Sequence, residues 1–170
     1  LFRSHGITRD EALMTENQGS WYYQQLELGF NYRITDISCA LGASQMNKLD
    51  SFLTKRAEIA KRYDEAFADA SEIVTPKQLI GCKSGWHLYM IQVPFERRRE
   101  IFEQLREQGI GVNVHYIPVY KHPYYQAHGY ADCKCENAER FYVGAISLPI
   151  YPGLTEKQQN YVIEKIKDVV

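Results

Sequence analysis

Two short segments carry polar side chains that could bind a ligand. The first is Gly29-Phe30-Asn31-Tyr32-Arg33. The amide of Asn31 and the guanidinium of Arg33 both donate hydrogen bonds, so together they could hold an anionic group. Taken alone, the residues favour a simpler interpretation, an ordinary loop before a helix with Arg33 paired to a nearby carboxylate.

The second segment is Asn113-Val114-His115-Tyr116-Ile117-Pro118. If it is a strand, its alternation places Asn113 and His115 on one face. Such a polar pair is costly to bury without partners, so this face either meets water or forms part of a site. A hydrogen-bonded structural histidine explains His115 equally well.

The remaining histidines and cysteines are weaker candidates for chemistry. His87 follows Trp86 at the start of a predicted strand, where a lone histidine is more often structural. His122, His128, Cys133 and Cys135 lie within one short stretch, but their spacing is not that of a standard zinc site. We therefore predict a surface loop there and no metal.

Composition excludes several classes of function. The 170 residues are enough for one domain with a real core, and the net charge is -1. No basic face is implied, so we expect no nucleic-acid partner. We also expect no membrane span and no signal peptide, because long apolar runs are absent. Four cysteines in a core-rich chain favour free thiols in the cytoplasm over a disulfide framework.

The hydrophobic pattern predicts alternating helices and strands after residue 35. Thr35 is the expected N-cap of one kinked helix, or of two helices, reaching Phe67. Strands are predicted over 86–93, 112–119 and 146–150, and helices over 96–108 and 138–144. Gly109 is predicted to end one helix in a Schellman motif, and a capping box from Thr155 to Gln158 to begin the last. The fold class is α/β, an α+β layer with a small sheet against helices.

The ordered motifs of the chain resemble those of the DegT/DnrJ/EryC1/StrS aminotransferases, which act on nucleotide-linked sugars. The run from Gly29 to Ile37 is followed along the chain by Ala40-Leu41-Gly42, Lys55-Arg56, Trp86-His87-Leu88-Tyr89, Gly109-Ile110-Gly111-Val112, Val114-His115-Tyr116-Ile117-Pro118, Ala138-Glu139-Arg140, Ser147-Leu148-Pro149 and Tyr151-Pro152-Gly153-Leu154-Thr155. Within the family, the chain is most similar to enzymes that aminate the 4-keto group of a UDP-linked 4-keto-6-deoxy-N-acetylhexosamine in pseudaminic acid biosynthesis.

The resemblance implies the C-terminal part of a type I aminotransferase fold that works as a homodimer with pyridoxal 5′-phosphate (PLP). It also implies a nucleotide-linked keto sugar as substrate and glutamate as amino donor. Residues 1–34 would be the tail of the large PLP-binding domain, including a loop that crosses the dimer, and residues 35–170 the small domain.

Four residues are assigned a role through the resemblance. Asn31 matches an asparagine that reaches across the dimer to the PLP phosphate, and Arg33 beside it is assigned to the cofactor too. His115 and Tyr116 match a motif near the sugar-nucleotide site. No catalytic residue is assigned, because no lysine here follows the Ser-x-x-His-x-x-Lys pattern of the family's Schiff-base lysine. The chain, which does not begin with methionine, is expected to be an inactive piece cut after that lysine.

Two alternatives stay open from the sequence. Related PLP-dependent sugar dehydratases share the fold and carry a histidine in place of the lysine, and the deciding residue lies upstream of Leu1. A stand-alone domain without catalysis, used for binding or regulation, is the other alternative.

Overall fold

The computed structural model describes all residues from 1 to 170, and its internal contacts divide them into two compact units. One unit is Leu1–Lys48 and the other is Leu49–Val170. The domain boundary expected after residue 34 concerns the full-length protein and stays a prediction. No helix in either unit has the length and apolar character needed to cross a lipid bilayer.

The first unit has little buried surface of its own. Strands β1 (Ile7–Thr8) and β2 (Gln24–Gln25) form a short antiparallel pair. Helix α1 (Asp36–Met46) begins at Thr35, whose hydroxyl accepts a hydrogen bond from the Ser38 N–H at 3.3 Å, so the predicted N-cap is confirmed. Every residue of α1 is exposed, including its apolar side chains.

The second unit contains the remaining helices and a two-stranded sheet. Its elements are α2 (Leu49–Ala66), β3 (Tyr89–Gln92), α3 (Arg98–Glu107), the short turn α4 (Pro123–Tyr125), α5 (Glu136–Gly144), β4 (Ala145–Leu148) and α6 (Glu156–Val169). Strands β3 and β4 pair antiparallel, with Tyr89 opposite Leu148 and Gln92 opposite Ala145. Of the two predicted possibilities, separate helices α1 and α2 are the one observed.

The core of this unit lies between the sheet and the long helices. Helix α2 buries Ile59, Ala60 and Tyr63, and Phe67 directly after it continues the same helical spacing, the pattern of an amphipathic helix. The largest fully buried side chains are Tyr63, Tyr89, Phe67, Ile91, Ile101, Leu105, Ile146 and Ile166. They come from α2 and the residue after it, and from β3, α3, β4 and α6, so the predicted layer of helices on a small sheet is confirmed.

Both predicted helix signals are confirmed in atomic detail. The Ile110 N–H donates to the Leu105 carbonyl and the Gly109 N–H to the Arg106 carbonyl, each at 3.0 Å, as a Schellman ending requires. Gly109 has a φ of 75°, which favours glycine. At α6, Thr155 and Gln158 form the reciprocal capping box.

The predicted strand over 112–119 is wrong apart from one bridge between Asn113 and Ser147. The Asn113 side chain accepts the N–H of Val114 at 2.8 Å, which competes with extension of a ladder. Pro118 has no N–H to donate and caps a 3₁₀ turn over Val119–Lys121. The predicted loop after it contains α4 and a kinked turn at Gln126–Tyr130, in which Gly129 has a φ of 92°.

Candidate functional site

Backbone hydrogen bonds fix the segment that carries Asn31 and Arg33. The Tyr32 N–H donates to the Arg3 carbonyl at 2.9 Å, and the His5 N–H to the Phe30 carbonyl at 2.9 Å. Gly29 permits this close approach, because a Cβ there would lie 2.2 Å from the Gly6 nitrogen. The backbone is therefore held in place at the residue before Asn31 and at the residue after it.

The two polar side chains on this segment are left without hydrogen-bond partners, whereas the rings of Phe30 and Tyr32 stack on each other. Asn31 and Arg33 are exposed and form no side-chain hydrogen bond or ion pair within the chain. The pairing of Arg33 with a local carboxylate is thus not observed. An amide and a guanidinium that are both free to donate fit the oxygen atoms of a phosphate group.

His115 is anchored to the sheet by its side chain. Its Nδ1 lies 2.7 Å from the hydroxyl oxygen of Ser147, a buried residue of β4, and its Nε2 lies 3.4 Å from the amide nitrogen of Asn113. Asn113 and His115 therefore lie together, as the alternation predicted, although the segment is not a strand.

The hydrogen bonds around His115 assign its tautomer. Asn113 Oδ1 accepts the Val114 N–H, so its NH₂ group faces His115 and can only donate. Nε2 of His115 must then accept, and the proton lies on Nδ1, which donates to Ser147. The two contacts hold the imidazole ring in a fixed orientation.

Tyr116 has a different environment from His115. The residue is 69% exposed, and its ring meets the His115 ring edge-on, with centroids 4.6 Å apart. The hydroxyl of such an exposed phenol can contact a polar group of a ligand, and the face of its ring can cover an apolar part.

Arg56 is a structural anchor that its local sequence does not reveal, because basic residues on a helix usually form a solvated face. Its guanidinium donates to the carbonyls of Trp86 (2.8 Å), Ile150 (3.1 Å) and His87 (3.3 Å). The usable signal is its spacing, since Arg56 lies four and seven positions before the buried Ala60 and Tyr63.

Two buried tyrosines continue this row of polar contacts from α2. The Tyr63 hydroxyl donates to the Pro149 carbonyl at 2.9 Å, and the Tyr89 hydroxyl to Asp64 Oδ1 at 2.6 Å. Burial raises the pKa of both phenols, and at Tyr89 the hydrogen bond to Asp64 raises the pKa further. Both hydroxyls are therefore fixed hydrogen-bond donors.

The other metal-capable residues have local roles. His128 stacks on Tyr124 with ring centroids 4.1 Å apart, and its Nδ1 lies 2.6 Å from the Tyr124 carbonyl oxygen. No group of three or more His, Cys, Asp or Glu residues converges in a way that could hold a metal ion. His87 is exposed, on a backbone where Trp86 has a φ of 46°.

Comparison with known proteins finds relatives whose similarity extends along almost the whole chain. A UDP-4-amino-4,6-dideoxy-N-acetyl-beta-L-altrosamine transaminase of Campylobacter jejuni is 37% identical over 177 residues, which cover 98% of this chain and 45% of that protein. The chain thus spans less than half the length of the curated relatives it matches.

Solved structures give the same result. PseC of Helicobacter pylori, an aminotransferase involved in the biosynthesis of pseudoaminic acid, matches with a TM-score of 0.85 and 30% identity over 99% of this chain and 44% of its own. A sugar aminotransferase described as putative, Spr1654 from Streptococcus pneumoniae in its PLP-form, has a TM-score of 0.84 and 31% identity over 99% of this chain and 41% of its own. The finer similarity to pseudaminic acid enzymes is therefore confirmed.

The family model for the DegT/DnrJ/EryC1/StrS aminotransferases, whose members depend on PLP, matches residues 1–167. With the anchored loop at Asn31, the fixed imidazole at His115 and the fold shared with solved relatives, the conclusion is direct: the chain belongs to the DegT/DnrJ/EryC1/StrS aminotransferase family.

Proposed function

We propose that this chain is the C-terminal portion of a cytoplasmic, homodimeric, PLP-dependent aminotransferase. The enzyme would move an amino group from glutamate to the keto group of a nucleotide-linked sugar. The names of the relatives support this reaction class, because they describe transaminases and sugar aminotransferases.

The observation that carries the proposal is the pair of unpartnered donors at Asn31 and Arg33. Folding leaves both side chains exposed on a backbone that hydrogen bonds and Gly29 hold rigid. Donors that are free of internal acceptors and stand on a fixed backbone can bind a phosphate without breaking a hydrogen bond of the chain. We infer that Asn31 donates to the cofactor phosphate of the partner subunit and that Arg33 balances its charge.

His115 and Tyr116, which lie in the second unit, are proposed to contact the substrate. When bound, PLP acts as the electron sink of amino transfer, and the protein supplies binding and orientation. Nε2 of His115 accepts a hydrogen bond from Asn113, and a sugar hydroxyl is a stronger donor that could take its place. The exposed ring of Tyr116 would cover the apolar face of the sugar or the base and exclude water from it.

This chain alone is proposed to be inactive. None of its lysines stands in the Ser-x-x-His-x-x-Lys setting, so the lysine that binds the cofactor covalently would belong to the preceding part of the full-length protein. Mixing this chain with PLP is therefore expected to give no stoichiometric lysine adduct in the visible absorbance spectrum. A one-to-one adduct would contradict this assignment.

The reaction is tested by following the amino group. The complete protein that contains this chain is incubated with PLP, ¹⁵N-glutamate and a UDP-linked 4-keto-6-deoxy-N-acetylhexosamine, and the sugar is analysed by mass spectrometry. We expect ¹⁵N in the sugar and an equal amount of 2-oxoglutarate. Loss of water from the sugar without ¹⁵N would indicate a dehydratase, and no change in sugar or glutamate would indicate a domain without this catalysis.

A further inference from the structure

The loop over residues 119–135 is attached to helix α5 through one carboxylate. Glu139 accepts hydrogen bonds from Lys121 Nζ at 2.7 Å and from the Tyr120 hydroxyl at 3.0 Å, one on each oxygen. Both donors lie at the beginning of the loop, whereas Glu139 lies in the first turn of the helix that follows the loop. The two ends of the loop therefore meet at Glu139.

Tyr120 extends this attachment into the loop. Its hydroxyl accepts the N–H of Cys135 at 3.1 Å, and its carbonyl accepts a hydrogen bond from the side-chain amide of Gln126. One residue thus joins the beginning, the middle and the end of the loop. We call the set Tyr120, Lys121, Gln126, Cys135 and Glu139 the loop anchor.

The loop anchor is more than an isolated surface ion pair. The side chains of Lys121 and Glu139 are 38% and 33% exposed, and a single pair at such exposure contributes little. Here the carboxylate has a second donor, and hydrogen bonds in one network reinforce each other. The hydrogen bonds from Lys121 and then Tyr120 lower the pKa of the Glu139 carboxyl, which keeps it ionised.

The loop anchor is also close in sequence to the segment assigned to the substrate. Only Ile117, Pro118 and Val119 separate Tyr116 from Tyr120, and proline restricts the backbone between them. His115 is held independently by Ser147, but Tyr116 has only an edge contact to His115. The backbone at Tyr116 is therefore held on one side by His115 and on the other side by the attached loop.

We propose that Glu139 is a positioning residue, which fastens the loop over 119–135 to α5 and so places Tyr116 for a nucleotide-linked sugar. The proposal rests on the proposed function for its ligand, but the attachment of the loop can be measured without any ligand. Glu139 itself would touch neither the sugar nor the cofactor.

The alkylation rate of Cys133 can report whether the loop is attached. Cys133 lines a cavity of about 460 Å³ together with Tyr120, Lys121 and Glu139, and it is partly buried. Desolvation, followed by the effects of Cys135 and Glu139, raises the pKa of its thiol, so alkylation of the closed loop is slow. Cys82 is exposed in another loop and serves as an internal reference.

The test compares alkylation rates by iodoacetamide in the complete protein, with Cys133 and Cys82 resolved by peptide mass spectrometry. We expect Glu139→Gln to speed alkylation of Cys133 roughly tenfold, as loss of a charged hydrogen bond predicts, and to leave Cys82 unchanged. Glu136→Gln removes a charge from the same helix turn at an exposed residue without a side-chain partner, and it should leave both rates unchanged.

A second variant separates loop opening from simple electrostatics. Removing the negative charge of Glu139 would itself favour the Cys133 thiolate, whereas Lys121→Met removes a positive charge and would disfavour it. If the loop anchor opens, both variants speed alkylation. Faster alkylation in Glu139→Gln but slower alkylation in Lys121→Met would overturn the proposal, as would unchanged rates in both.

The consequence for catalysis is a split between kinetic parameters. In the ¹⁵N-transfer assay, Glu139→Gln should raise KM for the sugar nucleotide several-fold while kcat changes less than twofold, because only binding depends on the loop. A fall in kcat as large as the fall in kcat/KM would contradict a positioning role. If the protein transferred no amino group at all, the alkylation rates would still decide whether Glu139 holds the loop, so the two proposals fail separately.

Discussion

Ser147 holds the imidazole of His115 across 32 positions of sequence, with 2.7 Å between its hydroxyl oxygen and Nδ1. The hydroxyl belongs to a buried residue of β4, so the orientation of His115 is set by the core and not by the exposed loop that follows it. Asn113 completes the arrangement at Nε2. A histidine held in this way would present the same ring nitrogen to the proposed sugar ligand in every molecule.

Replacing Ser147 with alanine should release the imidazole. We expect Ser147→Ala to mix the two neutral tautomers of His115 and to reduce the free energy of unfolding by about 1–2 kcal/mol, the cost of one lost buried hydrogen bond. Nitrogen-15 spectra of the imidazole report the tautomer directly. Ser71→Ala, at an exposed serine of the same unit, is the control, and a single Nδ1–H tautomer in both variants would contradict the assignment.

Replacing Arg56 with methionine should destabilise the second unit. The variant leaves three carbonyls without their donor, so we expect a loss of about 1.5–3 kcal/mol in urea unfolding. Arg106→Met, at an exposed arginine of α3, removes the same charge from the surface and should change stability by less than about 0.5 kcal/mol. Equal effects of the two variants would refute an anchoring role for Arg56.

Gly29→Ala should loosen the segment around Asn31. The new Cβ would lie 2.2 Å from the Gly6 nitrogen and 2.8 Å from the Phe2 carbonyl oxygen, so the paired backbones must separate. Trypsin should then cleave after Arg33 faster, since cleavage follows the open population. Gly42→Ala adds a Cβ in open space on α1, where alanine favours the helix, and should not speed this cleavage.

The buried phenols of Tyr63 and Tyr89 should make stability fall at high pH. Their folded pKa values lie above the ordinary 10.0, so above pH 10 the folded chain binds more protons than the unfolded chain. This part of the stability is complete below pH 10 and is lost as the pH rises through the folded pKa values. Absorbance at 295 nm should show these two among the 13 tyrosines ionising only on unfolding. Ionisation of all 13 tyrosines near pH 10 in the folded chain would contradict this prediction.

The helical parts of the fold were predictable because their signals are local. Thr35, Gly109 and the Thr155–Gln158 box each fix a helix end through contacts within a few residues. The apolar spacing of α2 and α6 likewise depends only on the period of the helix. These features do not depend on the packing around the helix.

The errors come from contacts that the pattern does not contain. The segment from Val112 to Val119 alternates like a strand, but the Asn113 side chain takes the Val114 N–H and Pro118 offers none. Arg56 is part of a charged run, yet its partners lie 30 and 94 positions away. Ser147 gave no sign of its role, because a serine in an apolar strand shows its partner only after folding.

The site residues divide in the same way. His115 and Asn113 were expected to share a face, and their side chains do meet. The roles of Asn31, Arg33 and Tyr116 came from family resemblance, since nothing in their local pattern separates a ligand site from an ordinary loop. The structure shows that Asn31 and Arg33 lack internal partners, and their roles toward PLP stay predictions.

The most direct test of the central claim is retention of PLP by the complete protein when Asn31 is changed. Asn31→Ala removes the proposed donor to the cofactor phosphate, and loss of a hydrogen bond to a charged group predicts a Kd for PLP raised roughly tenfold or more. Asn47→Ala, at another exposed asparagine of the same unit, is the control and should bind PLP like the unaltered protein. After dialysis, we predict loss of PLP from Asn31→Ala alone, whereas equal retention by both variants would contradict a phosphate-binding role for this chain.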